Sequence, residues 1–272
     1  MSWMNELFHT EKPVIGLLHL RALPGDPFFP AGGSIEEIIE AARADLHALQ
    51  AGGVDGVLVT NEFSMPYQKK VDGVTLASMA MVVGALKSEF RVPYGVEAIY
   101  DGDATIEICA ATGAAFTRCM FTGVWAGDLG LVDRDVARTL RLKKALGLDA
   151  LKLFYFVTSE GEVYLNDRST LDITKSLLFN CRPDALVVGG TAAGENPGPE
   201  LLSRVRTAAG GTPVICGTGC RMNNVEQVLT AGDGAFVGTT FKVDGKFENP
   251  VDARRVGAFM DRVRQIRGVQ HG

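Results

Sequence analysis

The stretch Gly53-Val54-Asp55-Gly56-Val57-Leu58-Val59 decides the fold. The same signal recurs as Gly147-Leu148-Asp149-Ala150-Leu151, as Pro183-Asp184-Ala185-Leu186-Val187-Val188 and as Gly232-Asp233-Gly234-Ala235-Phe236-Val237. Each copy runs from a turn residue to Asp, then to Gly or Ala, then into a short apolar run. Gly supplies the left-handed residue that closes a helix, and Asp holds turns through side-chain hydrogen bonds. The apolar run is too short for a helix and too continuous for a strand with one wet face, so it fits a strand covered on both faces. A βα unit repeated in this way predicts a parallel α/β fold, with a (β/α)8 TIM barrel as the leading form.

Working outward, eight strands are expected at 14–18, 56–59, 94–98, 115–120, 150–156, 185–188, 213–216 and 235–238. Helical patterns follow at 35–51, 76–90, 104–111, 134–146, 170–179, 200–208, 224–230 and 252–266. Ser34 and Glu37 have the spacing of a capping box. Helix-to-strand connections are brief. Strand-to-helix connections are long, at 20–33, 63–75, 121–133, 157–169, 189–199 and 239–251. Barrel active sites are built from the loops that follow the strands, and long loops without secondary structure usually carry function. An open doubly wound sheet would place a Gly-rich turn after an early strand. His19-Leu20-Arg21-Ala22-Leu23-Pro24-Gly25 is no such turn. The expected organisation is one domain over residues 1–272, with 1–12 as an N-terminal extension.

Composition narrows the function classes. The chain is 46% hydrophobic and 22% charged with a formal net charge of -5, which fits a globular protein. No basic footprint for nucleic acid is present. No apolar stretch approaches the roughly 20 residues of a membrane span. The first twelve residues carry Glu6, His9 and Glu11 without an apolar core, unlike a secretory signal. The five cysteines form no CxxC pair, so reduced thiols in a cytoplasmic protein are expected and a zinc site is not.

Three sets of residues could carry chemistry. Cys216-Gly217-Thr218-Gly219 ends the seventh strand and Gly238-Thr239-Thr240 ends the eighth, where barrels commonly hold phosphate. Glycines let amides approach an anion, and hydroxyls add donors. Asn61, Gly190 and Lys242 join Gly217, Thr218, Gly219, Gly238 and Thr239 in this substrate set. Glu97, Arg118 and Lys152 lie in strands three to five, where pointing into the barrel costs less than facing the helix layer. They form either a structural ion-pair network or a polar floor. In the second case Glu97 is a base, Arg118 an anion anchor and Lys152 an electrophile or Schiff-base amine. His19 ends strand one and is either packed or an acid/base group. His19, Asn61, Glu62 and Glu97 at the mouth leave a divalent metal open, although no spacing motif supports one. Cys220 has no base beside it. No cofactor is required by the sequence.

Pro13-Val14-Ile15-Gly16-Leu17-Leu18-His19-Leu20-Arg21-Ala22-Leu23-Pro24-Gly25-Asp26-Pro27 resembles the opening of the BtpA/SgcQ family. Gly113-Ala114-Ala115-Phe116-Thr117-Arg118 is similar to its strand-four segment. So is the run from Asp233 to Gly245 continued by Asn249-Pro250-Val251-Asp252 and Arg255-Val256. The resemblance covers nearly the whole chain. It implies a barrel of the ribulose-phosphate-binding type. One branch of the family is named for photosystem I biogenesis, and another is encoded among sugar-transport and sugar-metabolism genes. This chain departs from the family pattern within strands two to five. Thr60-Asn61 stands for Glu-Asn, Glu97-Ala98-Ile99-Tyr100-Asp101 for an Asn-containing strand end, and Arg118-Cys119-Met120 for Arg-Val-Asn. Leu151, Tyr155 and Phe156 occupy the places of an Asp and a Lys-His pair.

The expected function is therefore binding of a small phosphorylated sugar or nucleotide-like metabolite, with acid/base chemistry of a lyase, isomerase or hydrolase. The alternative is a non-catalytic assembly or stability factor with protein partners. Trp3, Phe8, Trp125 and Phe28-Phe29 are candidate contacts of a homo-oligomer, each of which could equally be lid or core.

Overall fold

The aspartates of the recurrent signal staple neighbouring strands. In the computed structural model, which describes residues 2–190, 192 and 194–269, the strands in chain order are β1 (Val14–His19), β2 (Gly56–Thr60), β3 (Tyr94–Glu97), β4 (Phe116–Cys119), β5 (Gly123–Gly127), β6 (Gly130–Arg134), β7 (Lys152–Thr158), β8 (Glu162–Tyr164), β9 (Ala185–Val188), β10 (Val214–Cys216) and β11 (Ala235–Val237). The helices are α1 (Trp3–Phe8), α2 (Ile35–Gly52), α3 (Gly73–Leu86), α4 (Gly102–Thr112), α5 (Val136–Ala145), α6 (Thr170–Asn180), α7 (Pro199–Ala209), α8 (Val225–Ala231) and α9 (Ala253–Val269). Asp55 accepts the Val14 amide at 2.7 Å, Asp184 the Leu153 amide at 2.9 Å and Asp233 the Val214 amide at 3.0 Å. Each carboxylate precedes one strand and accepts an amide at the start of its ring neighbour: the first residue of β1 and β10, the second of β7. Each has a counter-ion, respectively Arg267, Lys152 and Arg206. Asp149 is different: it is exposed and pairs with Lys144 at 2.9 Å.

All eight expected strands form, and they close into a parallel (β/α)8 barrel in the order β1-β2-β3-β4-β7-β9-β10-β11. Ser34 and Glu37 make the capping box at the start of α2. Alternation along the strands separates two layers. Ile15, Leu17, Leu58, Phe116, Phe154, Val187, Ile215 and Phe236 cluster inside the barrel. Val14, Val57, Val59, Val96, Leu153, Leu186 and Val214 belong to the cluster shared with the helices. Gly95 is forced by this packing, since a Cβ there would stand 2.5 Å from the Phe116 carbonyl oxygen.

Two parts differ from the sequence reading. The loops at 121–133 and 157–169 hold an antiparallel sheet of order β6-β5-β8. Its inner side is built on Trp125, opposite Val132 and Tyr164. Trp125 is buried, and its indole N–H donates to the Thr122 carbonyl at 2.8 Å, so it is core and offers no surface to a second copy. The segment read as an extension also enters the barrel. Met4 and Phe8 of α1 are buried in the interior cluster. Phe8 packs edge-on against Phe116 with ring centres 5.2 Å apart, and Trp3 against Phe154 at 5.7 Å. Trp3 and Phe8 thus close the N-terminal mouth. No described helix is long and apolar enough to cross a membrane.

If α1 is part of the barrel, Phe8→Ala should cost about 3–5 kcal/mol, the range for a buried Phe truncation. Urea unfolding measures this, and a loss under about 1 kcal/mol would show that the segment is dispensable.

Candidate functional site

The inward layer turns polar near the C-terminal ends of the strands. Arg118 follows Phe116 on the inner face of β4, and Glu97 ends β3 beside it. The Arg118 Nε donates to Glu97 Oε2 at 2.8 Å, and Nη1 donates to the Gly217 carbonyl at 3.2 Å. The guanidinium lies 4.5 Å from the centre of the Phe236 ring. Burial raises the pKa of Glu97 and Arg118 pulls it back. Burial also opposes the charge on Arg118, but Glu97, Glu62 and Glu160 outweigh it and hold the guanidinium above its ordinary value.

His19 ends β1 on the same inward side. It is buried, 3.8 Å from Glu62, and neither ring nitrogen has a hydrogen-bond partner among the described residues. Desolvation lowers its pKa to about 4, against the pull of Glu62, so the imidazole is neutral at pH 7. Gly238 makes room for it: a Cβ on Gly238 would lie 2.9 Å from His19 Cε1.

Above these groups opens a central hollow of about 780 Å³. His19, Arg118, Gly217, Thr218, Gly219, Gly238 and Thr239 all line it. Sequence positions 217–219 and 238–240, far apart in the chain, thus meet at one mouth. Gly219 adopts φ +70°, and its bare Cα lets the Asn196 backbone approach. Glu97 stands behind Arg118 and does not line the hollow.

Other expected residues lie elsewhere. Lys152 is the first residue of β7, so its inward direction places it at the N-terminal mouth. There it pairs with Asp184 at 3.2 Å and lies 5.3 Å from the Trp3 ring centre. It is a staple counter-ion at the wrong end of the barrel for the chemistry assigned to it. Lys242 is buried beside the central hollow, where its ammonium donates to the Phe247 carbonyl at 2.7 Å. Asn61 is buried and accepts the Ile99 amide at 2.8 Å, fixing the β3 loop. Gly190 lets the Glu195 backbone pack closely but does not line the central hollow.

Sequence reasoning missed Glu160, Arg221, Phe247 and Arg255, all of which line the central hollow. The signal for Glu160, Arg221 and Phe247 was membership of, or proximity to, long strand-to-helix loops, and Arg255 stood in the closing run that resembles the family. Burial raises the pKa of Glu160, against Arg118 and hydrogen bonds from Thr218 and the Gly194 amide. No group of three His, Cys, Asp or Glu side chains among the described residues has metal-binding geometry. Asn61 and Glu97 already serve Ile99 and Arg118. Burial pushes the Cys220 thiol well above its ordinary value, which disfavours a thiolate nucleophile.

A model of the BtpA family matches residues 10–265. The putative sgc region protein SgcQ of Escherichia coli K12 is 45% identical over 98% of this chain and 100% of its own length. Photosystem I biogenesis protein BtpA of a Synechocystis strain is 32% identical over 94% of this chain and 89% of its own. A solved structure of (S)-3-O-geranylgeranylglyceryl phosphate synthase from Thermoplasma acidophilum, in complex with substrate sn-glycerol-1-phosphate, superposes with a TM-score of 0.57. That match covers 96% of this chain and 99% of the other at 14% identity, and shows a common fold.

The state of His19 has a measurable consequence. Its ordinary value of 6.5 is lowered to about 4 by burial, so the folded chain binds this proton more weakly than the unfolded chain. The stability due to neutral His19 is complete above pH 6.5 and is lost as pH falls towards 4, by about 3 kcal/mol. Urea unfolding of wild type and His19→Gln between neutral pH and pH 4 should show the variant losing less by that amount. Parallel profiles would refute a buried, neutral imidazole.

Proposed function

This chain belongs to the BtpA family, and from that premise we propose that it binds a small phosphorylated sugar or nucleotide-like metabolite in the central hollow and performs acid/base chemistry on it. One observation carries the reading. The loops after β10 and β11, at 217–220 and 238–240, line a single hollow with Arg118, Arg221 and Arg255. In barrels of this class those two loops commonly hold phosphate. The sn-glycerol-1-phosphate complex of the Thermoplasma barrel adds support by analogy of fold.

The roles follow from the environments. Thr218, Thr239 and loop amides meet the phosphate, with arginines at the wall. Glu160, a carboxylate whose proton is held more tightly by burial, is the acid/base group. His19, neutral and without a hydrogen-bond partner among the described residues, hydrogen-bonds the substrate without carrying charge. Proton transfer on a phosphorylated sugar suits an isomerase or lyase better than a Schiff-base aldolase, because Lys152 lies at the opposite mouth. A second reading, a non-catalytic assembly factor, draws on the likeness to the photosystem I biogenesis protein.

Thermal unfolding with ribose 5-phosphate tests the proposal. Ligand at a hundredfold its Kd should stabilise the fold by about 2.7 kcal/mol, a rise of several degrees in Tm. Thr239→Glu, which puts a negative charge at an exposed position of the mouth, should abolish the shift. Lys152→Met should retain it while lowering the ligand-free Tm. No shift with ribose 5-phosphate or inorganic phosphate in the wild type would overturn the phosphate reading and favour the assembly factor.

A further inference from the structure

A second hollow of about 520 Å³ lies beside the first, between the segment after β1, helix α2 and the segment at 247–250. Its wall is mainly apolar and includes four phenylalanines, Phe28, Phe29, Phe63 and Phe247, with Pro30 and Ile38. The buried charges that reach it are already satisfied. Asp45 accepts the Val251 amide at 2.8 Å. Lys242 donates to the Phe247 carbonyl and lies 5.1 Å from the Phe63 ring centre. Arg21, Glu37 and Glu248 are exposed at the rim. Phe28 is 68% exposed at the edge of this hollow, on a loop stiffened by Pro24, Pro27 and Pro30.

His19 and Phe247 line both hollows. The boundary between them is therefore an aromatic ring and an imidazole whose two nitrogens are buried without partners among the described residues. A neutral imidazole offers one donor and one acceptor. Leaving both unmade is costly unless a ligand or water completes them.

We infer that the lateral hollow is the second half of the binding site, and that it takes an aromatic ring carried by the phosphorylated ligand. The phosphate lies on the loops after β10 and β11, the ring lies among the phenylalanines, and His19 hydrogen-bonds the polar linkage between them. A wall that holds phenylalanine rings favours a flat aromatic group through offset and edge contacts. This rests on the phosphate reading of the central hollow and narrows its ligand to aryl- or base-bearing sugar phosphates.

Calorimetric titration of the full chain tests the inference with three probes that share one head: ribose 5-phosphate, AMP, and 1-phenylribose 5-phosphate. At least one ring-bearing probe should bind about tenfold more tightly than ribose 5-phosphate, as expected for burying a ring. Ala41→Trp, which fills the lateral hollow from α2, should remove that advantage and leave ribose 5-phosphate affinity unchanged. Phe28→Ala, at an exposed position that does not threaten folding, should reduce it in part. If ribose 5-phosphate binds and neither ring adds affinity, this inference falls and the phosphate reading stands. If a ring-bearing probe binds in an Ala41-dependent way while ribose 5-phosphate and inorganic phosphate do not, the lateral site stands and the phosphate reading falls. If nothing binds, both fall.

Discussion

One buried guanidinium sets the level at which the barrel changes character. Arg118 is held by Glu97 on the adjacent strand and by the Gly217 carbonyl across the ring. Below it the interior is packed with Ile15, Leu58, Phe116, Phe154 and Phe236, and is closed by α1. Above it is the hollow. A buried ion pair is a weak source of net stability, because desolvation consumes most of its Coulombic gain. It is nonetheless a strong positional constraint, since breaking either side strands a charge in an apolar interior. Arg118 therefore fixes where the β10 loop leaves the barrel, and with it the placement of residues 217–220.

The opposite rim solves a different problem. Amides at the starts of barrel strands need acceptors at the edge of the sheet, and unpaired buried amides are costly. Asp55, Asp184 and Asp233 supply acceptors from the neighbouring strand. This explains why Asp recurs before the strands. Asp in such a signal suggests a bond within its own turn, but the partner here lies on the adjacent strand. It also explains Lys152. An Asp at the rim needs a counter-ion, and an inward Lys at the first position of β7 can provide it while its ammonium lies over the Trp3 ring.

Strand positions were legible because burial on both faces leaves continuous apolar runs bounded by turn residues. The small sheet was not, because β5, β6 and β8 bury only part of their residues, so no continuous apolar run marks them. The strand pattern also showed that Glu97, Arg118 and Lys152 point inward, but it could not show how deep each sits. Depth depends on register. Lys152 pairs with Phe116 and Arg118 with Phe154, so two inward cations two rungs apart face different ends of the barrel. Glu160 and Phe247 were illegible for another reason: they sit on irregular loops whose course no periodicity records.

Register also sorts the departures from the family pattern. Tyr155 and Cys119 are buried in the outer cluster, facing the helices, so those two changes repack the wall, whereas Phe156 packs on the inner cluster with its ring centre 5.5 Å from the Arg118 guanidinium. Thr60, Asn61 and Glu97 are different. The Thr60 hydroxyl bonds Glu62 at 3.2 Å, and Asn61 holds the Ile99 amide, so together they fix the acidic side of the mouth. Around Arg118 this leaves one permanent cation facing Glu97, Glu62 and Glu160, with His19 uncharged. A floor with this acidic excess does not attract a dianion on its own. In the proposed complex the phosphate is therefore met at the rim, by Gly-rich loop amides with Arg221 and Arg255. The carboxylates below face the part of the ligand that reacts. Fixed donors above and buried acids beneath make the division of labour that proton transfer on a phosphorylated substrate requires.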